Sequence, residues 1–161
     1  MLSSKVTFDT FGNLCPHDVI SCDLNKCQKV FVYAFPDSNT RPLLFESYIA
    51  YRKAIFSVIG YAFKQWINGS FVTQKQNPND VDLANLIPYN DSLDAQIEQI
   101  LPYFTVGGSI ETYQIDAHLI PVYQKSDPRF ENTELRISYF KRWFGHDRND
   151  NPKGFIEINE P

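Results

Sequence analysis

Cysteine is scarce in this chain of 161 residues, and its number is odd. The three cysteines are Cys15, Cys22 and Cys27. Three thiols cannot all pair within one chain, which argues against a small secreted scaffold held together by disulfides. The simpler interpretation is a reduced protein of the cytoplasm.

Long apolar runs are absent as well. No segment approaches the roughly 20 apolar residues that are needed to span a bilayer. Residues 1–5 lack the apolar run of a signal peptide. We therefore expect no membrane partner and a cytoplasmic location.

An excess of basic charge is also missing. The chain has 15 lysines and arginines against 19 acidic residues, which gives a net charge of −4. Non-specific binding to nucleic acids or anionic membranes needs a basic surface. Nucleic acid is therefore disfavoured as a partner, and a nucleic-acid-binding domain without chemistry is the least favoured function. A nucleotide held through metal ions is not excluded.

The composition that is present belongs to a folded domain. Apolar residues make up 43% and charged residues 21% of the chain, which excludes disorder for its bulk. The length suits one domain with a core of its own. We expect a single domain over residues 1–161, with residues 1–22 as a turn-rich N-terminal arm.

Apolar periodicity predicts helices alternating with strands. The strongest helix signal covers about 40–65, where Thr40 is the expected N-cap and Pro42 lies in the first turn. The other predicted helices cover about 24–34, 91–104 and 130–144, and the predicted strands cover about 66–72, 80–87, 112–122 and 154–158. This order predicts an α/β (α+β) protein with a mixed sheet flanked by helices.

One group of residues indicates chemistry. Gly69-Ser70 is followed by Asp80-Val81-Asp82, and Asp116 lies within a later apolar strand. Side chains two apart on a strand share a face, so Asp80 and Asp82 would project side by side. Two adjacent carboxylates repel each other, and a divalent cation between them removes that cost. Gly69 permits a tight turn, and Ser70 offers a hydroxyl and an N–H to phosphate oxygens.

This spacing resembles the nucleotidyltransferase superfamily typified by DNA polymerase beta. Over nearly the whole chain, the sequence also looks like a bacterial family of small, uncharacterised nucleotidyltransferase-like proteins. The stretches that carry this second resemblance are Phe8-Asp9, Gly12-Asn13-Leu14, residues 69–73, residues 78–82, Trp143-Phe144-Gly145 and Lys153-Gly154. The superfamily motif itself covers only residues 69–82 and Asp116.

The resemblance implies a minimal nucleotidyltransferase fold and a metal-dependent reaction. It implies that Asp80, Asp82 and Asp116 hold two Mg²⁺ or Mn²⁺ ions. It further implies that a nucleoside monophosphate passes from a nucleoside triphosphate, ATP by abundance, to a hydroxyl acceptor. Asp116 would also draw the proton from that hydroxyl. Gly69 and Ser70, with Thr73 and Lys75 in the following loop, are the expected nucleotide-binding residues.

Two departures from the superfamily pattern affect this expectation. Active members commonly carry a basic residue and then glycine three to four positions after the serine, where this chain has Thr73 and Gln74. Lys75 is the nearby basic residue that would substitute. In addition, no segment of this sequence resembles a full second domain for the acceptor. These departures leave room for an enzyme that acts on a partner protein, as in toxin–antitoxin modules, or for an inactive, antitoxin-like binding protein of the same fold.

Three other features have simpler interpretations. His118 shares the face of Asp116, and a structural or solvent-facing role is favoured over substrate contact. The spacing of Cys15, His17, Cys22 and Cys27 does not match the short Cys-x-x-Cys pattern of structural zinc sites, so ordinary thiols are favoured. Arg148 and Lys153 flank a sequence typical of a turn, and a plain turn is favoured over a phosphate contact.

Overall fold

The computed structural model describes residues 6–159 and contains a five-stranded mixed sheet flanked by helices. The strand order is β3-β7-β4-β5-β6. The strands are Val19–Cys22 (β3), Lys64–Asn68 (β4), Val81–Pro88 (β5), Ile115–Val122 (β6) and Phe155–Ile158 (β7). Strand β4 runs antiparallel to both β5 and β7, whereas β3 is parallel to β7 and β5 is parallel to β6. The predicted α+β class is confirmed.

The N-terminal segment is more ordered than the predicted arm. Thr7–Phe8 (β1) and Leu14–Cys15 (β2) pair as a small antiparallel ribbon, and β3 is an edge strand of the main sheet. Ile20 and Cys22 on β3 are buried. The prediction of an arm over residues 1–22 is therefore wrong for residues 7–22, because these residues pair with strands and contribute to the core. Residues 1–5 of that range lie outside the described chain.

Helices cover both faces of the sheet. The five helices are Leu24–Gln28 (α1), Arg41–Ile59 (α2), Asp91–Ile100 (α3), Glu111–Tyr113 (α4) and Phe130–Phe144 (α5). On β5, Val81, Leu83 and Ile87 join the core that contains α2 and α3. Ala84 and Leu86 face the opposite way, into the core that contains α5. This alternation follows from the two-residue period of a strand, and it also places the even-numbered Asp82 on the α5 side.

Helix α2 begins and ends differently from the prediction. Thr40 makes no capping hydrogen bond through its side chain, and Ser38 Oγ instead accepts from the N–H of Arg41 at 3.1 Å. The helix ends at Ile59, because Gly60 adopts a left-handed conformation with φ 76°. The predicted end at residue 65 is therefore wrong, and β4 already begins at Lys64.

Short helical turns replace parts of two predicted elements. Ser70–Val72 is a 3₁₀ turn and not the end of a strand. Leu101–Phe104 is likewise a 3₁₀ turn, and Val106–Ile110 is a π-helical turn, so Gly107-Gly108 lies within a helical segment. A further π-helical turn, Lys29–Tyr33, continues α1. Helix α5 has the predicted bounds. Among the described residues, no helix combines the length and apolar character that crossing a membrane requires.

Candidate functional site

Three polar side chains form a row across the central strands. Asn68 at the end of β4 is the register partner of Asp82 on β5, and Asp82 is the register partner of Asp116 on β6. Their even numbers on β5 and β6 put both aspartates on the α5 side of the sheet. Asp80 lies two residues before Asp82, just ahead of the strand. The row therefore joins residues that are 48 positions apart in sequence, counted from Asn68 to Asp116.

The turn after β4 is shaped by its contact with Asp82. Gly69 has φ 74° and ψ −164°, a conformation that is essentially restricted to glycine. A methyl group added at this position would lie only 1.7 Å from Asp82 Oδ2. The backbone of Gly69 thus occupies the space directly against this carboxylate. Ser70 follows at the start of the 3₁₀ turn. Gly69 and Ser70 both line a cleft that also contains the aspartates.

Arg41 holds the loop that follows Ser70 in place through hydrogen bonds. Its side chain is fully buried. Nη1 donates to the carbonyls of Phe31 (2.8 Å) and Phe71 (2.7 Å), and Nη2 donates to those of Thr73 (2.8 Å) and Lys75 (2.7 Å). Burial lowers the pKa of the guanidinium to about 10, which leaves it charged at neutral pH. The loop that carries Thr73 and Lys75 is therefore tied to the start of α2.

Two basic residues from the C-terminal part of the chain, Lys153 and Arg148, line the cleft. Lys153 is 5% exposed, and its amine faces the charges of Asp82 and Asp147. Burial lowers the pKa of this amine, and the two carboxylates oppose that effect. Asp147 accepts hydrogen bonds from the side chains of Asn13 (2.9 Å) and Asn151 (3.0 Å), which lower its pKa. This network holds the turn between Lys153 and Arg148, both of which line the cleft.

The sequence predicts a plain turn for Arg148 and Lys153, and this turn is present. Both residues also line the cleft that contains the aspartates. Strand β7 follows Lys153 and pairs antiparallel with β4, so the residue just before β7 lies at the same edge of the sheet as the end of β4. No local spacing in the sequence predicts that pairing. The pair Lys153-Gly154 contributed to the family resemblance, and it was the one sequence feature that connected Lys153 with the site.

The electrostatics of the site centre on Asp82. Burial is the largest cause that raises the pKa of its carboxyl group, from an ordinary value of 3.8 to about 6. The negative charges of Asp80 and Asp116 raise it further, whereas Lys153 and Arg148 lower it. A carboxylate that is desolvated beside two others is stabilised by any cation that approaches it.

All seven residues predicted for the site line one cleft of about 740 Å³. They are Gly69, Ser70, Thr73, Lys75, Asp80, Asp82 and Asp116. This volume falls within the roughly 300–1,000 Å³ of small-molecule sites. The same walls carry Asn68, Arg142, Trp143, His146 and four residues of the turn described above, Asp147, Arg148, Asp150 and Lys153. Acidic groups at one end and cations around them suit a ligand that brings both phosphates and metal ions.

The three aspartates are not drawn tightly together. Within residues 6–159, the one trio of possible ligand atoms that all lie within 4.8 Å of one another is formed by Asp9, Cys15 and His17. The carboxylate oxygens of Asp80, Asp82 and Asp116 do not all lie within that distance of one another. The buried Oδ1 of Asn68 has no hydrogen-bond partner among the described atoms. An unsatisfied acceptor beside carboxylates is a donor set that suits a hard divalent cation.

Asp116 is flanked by a histidine in an aromatic setting. His118 Nε2 lies 3.6 Å from Asp116 Oδ1, and the His118 ring packs against Phe140 and Trp143 at centroid distances of 5.3 and 5.1 Å. Burial is the main cause that lowers the pKa of His118, and the negative charge of Asp116 opposes this effect. The favoured structural role for His118 agrees with this packing. Its ring also fixes the orientation of Trp143, whose indole lines the cleft.

Comparison with known proteins yields a family and nothing more specific. Neither the curated proteins nor the solved structures contain a match to this chain. The family match extends over residues 6–159, which includes every element of the sheet and every residue of the cleft. The chain therefore belongs to the family of unknown function DUF6932.

Proposed function

We propose that this protein is a metal-dependent nucleotidyltransferase. It transfers a nucleoside monophosphate from a nucleoside triphosphate, with ATP as the first candidate, to a hydroxyl acceptor. The observation that carries the proposal is the pairing of Asp82 with Asp116 on adjacent strands, beside the Gly69-Ser70 turn and the buried Lys153. A cytoplasmic location fits an ATP donor and the reduced thiols.

The acidic end of the cleft is the proposed metal site. Asp80, Asp82 and Asp116 would hold two Mg²⁺ or Mn²⁺ ions, and the free Oδ1 of Asn68 borders this end. Bound there, divalent ions would neutralise phosphate charge and lower the pKa of the acceptor hydroxyl. The raised pKa of Asp82 supports this assignment, because a bound cation would offset the desolvation and repulsion that raise it.

The cations around the cleft would bind the triphosphate. Ser70 offers its hydroxyl and backbone N–H, and Lys75 approaches from the loop that Arg41 holds. Lys153 supplies the buried positive charge that the usual motif position, occupied here by Thr73, does not provide. A buried ammonium is worth more to a phosphate than an exposed one, since less water screens the interaction. The departure at Thr73 is thereby compensated from another part of the chain.

The base of the nucleotide has a large aromatic side chain to stack on. Trp143 is the one Phe, Tyr or Trp residue among the described residues that line the cleft. Its contacts with His118 and Phe140 hold the indole in place. Stacking of a base on such a ring contributes roughly 1–3 kcal/mol and discriminates little between bases. We therefore expect relaxed donor selectivity.

The chemical step follows from the position of Asp116. The oxygen of the acceptor hydroxyl attacks the α-phosphorus, and the bond from that phosphorus to the pyrophosphate oxygen breaks. The hydroxyl proton passes to the Asp116 carboxylate, which is 41% exposed and open to the acceptor side. His118 lies 3.6 Å away, and the burial that lowers its pKa disfavours the charged imidazolium that would pair with Asp116.

A binding function without turnover is the second candidate, and an exposed apolar stripe favours it. Leu135 and Tyr139 are each 62% exposed and Trp143 is 42% exposed, at four-residue steps along α5. The stripe ends at the cleft, where Trp143 lines the wall. A partner protein bound along α5 would be regulated by the nucleotide-bound protein in the manner of an antitoxin.

The test is transfer of an α-labelled nucleotide by the purified full-length chain. Each of the four nucleoside triphosphates is supplied with Mg²⁺ or Mn²⁺, and cell extract serves as the source of acceptors. Pyrophosphate release and labelled product are both measured. We expect metal-dependent transfer that Asp80→Ala and Asp82→Ala abolish. Asp116→Asn should slow transfer by roughly 10²–10⁴-fold, the usual contribution of a general base.

Asp91→Asn is the matched control, because Asp91 is exposed in the first turn of α3, outside the cleft. This variant should transfer nucleotide at the wild-type rate. Metal-dependent nucleotide binding without any release of pyrophosphate would favour the binding function. Absence of triphosphate binding in the presence of either metal would contradict both candidates.

A further inference from the structure

A second group of possible metal ligands lies near the start of the chain. Asp9 follows β1, Cys15 ends β2, and His17 lies in the connection to β3. Their ligand atoms all fall within 4.8 Å of one another. His17 Nε2 is 2.9 Å from Asp9 Oδ2 and 3.2 Å from Cys15 Sγ. None of the three is among the residues that line the aspartate cleft.

The backbone prepares Asp9 for this role. Its Oδ1 accepts the N–H groups of Phe11 (2.8 Å) and Asn13 (2.9 Å). Those two bonds fix the carboxylate in the tight turn between β1 and β2 and leave Oδ2 directed at His17. One ligand is therefore held in place before any ion arrives, which reduces the entropic cost of binding.

The Nε2 atom of His17 has more polar neighbours than one neutral ring nitrogen can pair with. A neutral imidazole nitrogen carries either one hydrogen or one lone pair, yet Nε2 faces both a carboxylate oxygen and a sulfur. A cation placed where the Nε2 hydrogen would lie contacts all three groups at once. Tetrahedral zinc at its usual bond lengths needs about 3.3 Å between nitrogen and oxygen and about 3.6 Å between nitrogen and sulfur. Each observed distance would widen by only about 0.4 Å.

We propose that Asp9, Cys15 and His17 form a zinc site with three protein ligands and a fourth position open to water. Thiolate and imidazole select Zn²⁺ over Mg²⁺, so this site is chemically distinct from the aspartate cleft. The Cys15 thiol loses its proton to solvent when the zinc–sulfur bond forms, and affinity therefore rises with pH.

The site has a structural consequence for the cleft. It joins the β1–β2 turn to the segment before β3. That turn carries Asn13, whose side-chain amide donates to Asp147 Oδ2 at 2.9 Å. Bound zinc would thus stabilise the β1–β2 turn. Through the hydrogen bond from Asn13 to Asp147, that turn supports the one that carries Arg148 and Lys153. The spacing of the cysteines and His17 does not reveal this site, because Asp9 lies outside that run of residues.

Cobalt substitution tests the site directly. The full-length chain is stripped with a chelator and titrated with Co²⁺, and the absorption spectrum is recorded. We expect one equivalent to give a sulfur-to-cobalt charge-transfer band and the intense visible bands of a four-coordinate ion, both erased by Zn²⁺. Cys15→Ser should remove the charge-transfer band. Asp9→Asn should weaken binding by roughly tenfold or more while it keeps the shape of the side chain.

Two controls separate this site from other thiols and from the cleft. Cys22→Ala and Asp82→Ala should both retain the charge-transfer band. Zn²⁺ should raise the melting temperature of the wild-type chain and of Asp82→Ala, but not that of Cys15→Ser. A charge-transfer band that survives in Cys15→Ser, or wild-type protein that gives only the weak spectrum of six-coordinate cobalt, would overturn the proposal.

Discussion

Gly69 and Gly60 both have positive φ angles, 74° and 76°, but their surroundings differ. A methyl group at residue 60 would meet nothing within 4 Å, whereas one at residue 69 would collide with Asp82. We predict that Gly60→Ala costs about 1–2 kcal/mol of unfolding free energy and leaves Mg²⁺-dependent ATP binding intact. Gly69→Ala should cost more and should abolish that binding, because it displaces the carboxylate.

Urea unfolding and titration with Mg²⁺ and ATP check the pair. Gly60→Ala controls for the backbone strain alone, since it carries no collision. Wild-type ATP affinity in a folded Gly69→Ala protein would contradict the role given to this turn.

Asp82 makes stability depend on pH in an unusual direction. Its folded-state pKa of about 6 lies above the ordinary 3.8, so the native state binds a proton more tightly than the unfolded chain does. Ionisation of Asp82 therefore lowers stability as pH rises through this window, by at most roughly 3 kcal/mol. We predict that Asp82→Asn stabilises the metal-free protein above about pH 7, and that the gain disappears as the pH falls to about 4.

Urea unfolding in chelator across this pH range measures the effect, with Asp91→Asn as the exposed control. Asp91 lies in the first turn of α3, where a negative charge is favourable. Its replacement should therefore give no comparable gain. An equal gain for Asp82→Asn at both ends of the range would show that ionisation is not its cause.

At the scale of elements, Arg41 links the start of α2 to the loop of the site. Its fork donates to four backbone carbonyls, and its guanidinium stacks on Phe35 with 3.8 Å to the ring centroid. Lysine cannot reproduce this planar fork. We predict that Arg41→Lys lowers the unfolding free energy by about 3 kcal/mol, since some of these carbonyls lose their partners. Backbone amides of residues 70–75 should then exchange hydrogen faster.

Arg52→Lys provides the comparison within the same helix. Arg52 is also buried and donates to Gln65 Oε1, but none of its hydrogen bonds described here reaches the loop. Hydrogen exchange measured by mass spectrometry should show a faster loop in Arg41→Lys alone. Equal exchange in the two variants would mean that the loop is held by other contacts.

The elements also show which parts of the fold are readable from local sequence. Helix α5 has its predicted bounds because its apolar residues follow a helical period on their own. The aspartates of the site were readable for a similar reason, since strand alternation is a local property. Strand β3 was not predictable from local sequence, because its partner β7 begins more than 130 residues later in the chain. Arg41, Asn68 and Lys153 were missed because only tertiary packing decides that they are buried.

The charge distribution of the whole molecule explains how an acidic chain can suit an acidic ligand. The net charge is −4, yet Lys75, Arg142, Arg148 and Lys153 all line the cleft. Divalent ions held by the aspartates would add further positive charge at the same place. Attraction of the proposed triphosphate would thus be local to the cleft.

That arrangement predicts a stability change in the entire domain. A ligand at 100 times its dissociation constant stabilises the native state by about 2.7 kcal/mol. For a domain of this size, that corresponds to a melting temperature roughly 5–10 °C higher. We expect ATP with Mg²⁺ to produce this shift, and ATP with chelator to produce a much smaller one, because the phosphates then lack their metal bridge to the aspartates. Differential scanning calorimetry measures both.

Lys153→Met and Lys125→Met separate the buried cation from a surface one. Lys153 lines the cleft, whereas Lys125 lies in the exposed connection between β6 and α5. Lys153→Met should reduce the shift at a fixed ATP concentration, and Lys125→Met should leave it unchanged. The same shift in ATP with and without Mg²⁺ would break the link between nucleotide and aspartates. A full shift in Lys153→Met would show that Lys75 and Arg148 bind the phosphates without Lys153. Lys153 would then not replace the basic residue that is missing at Thr73.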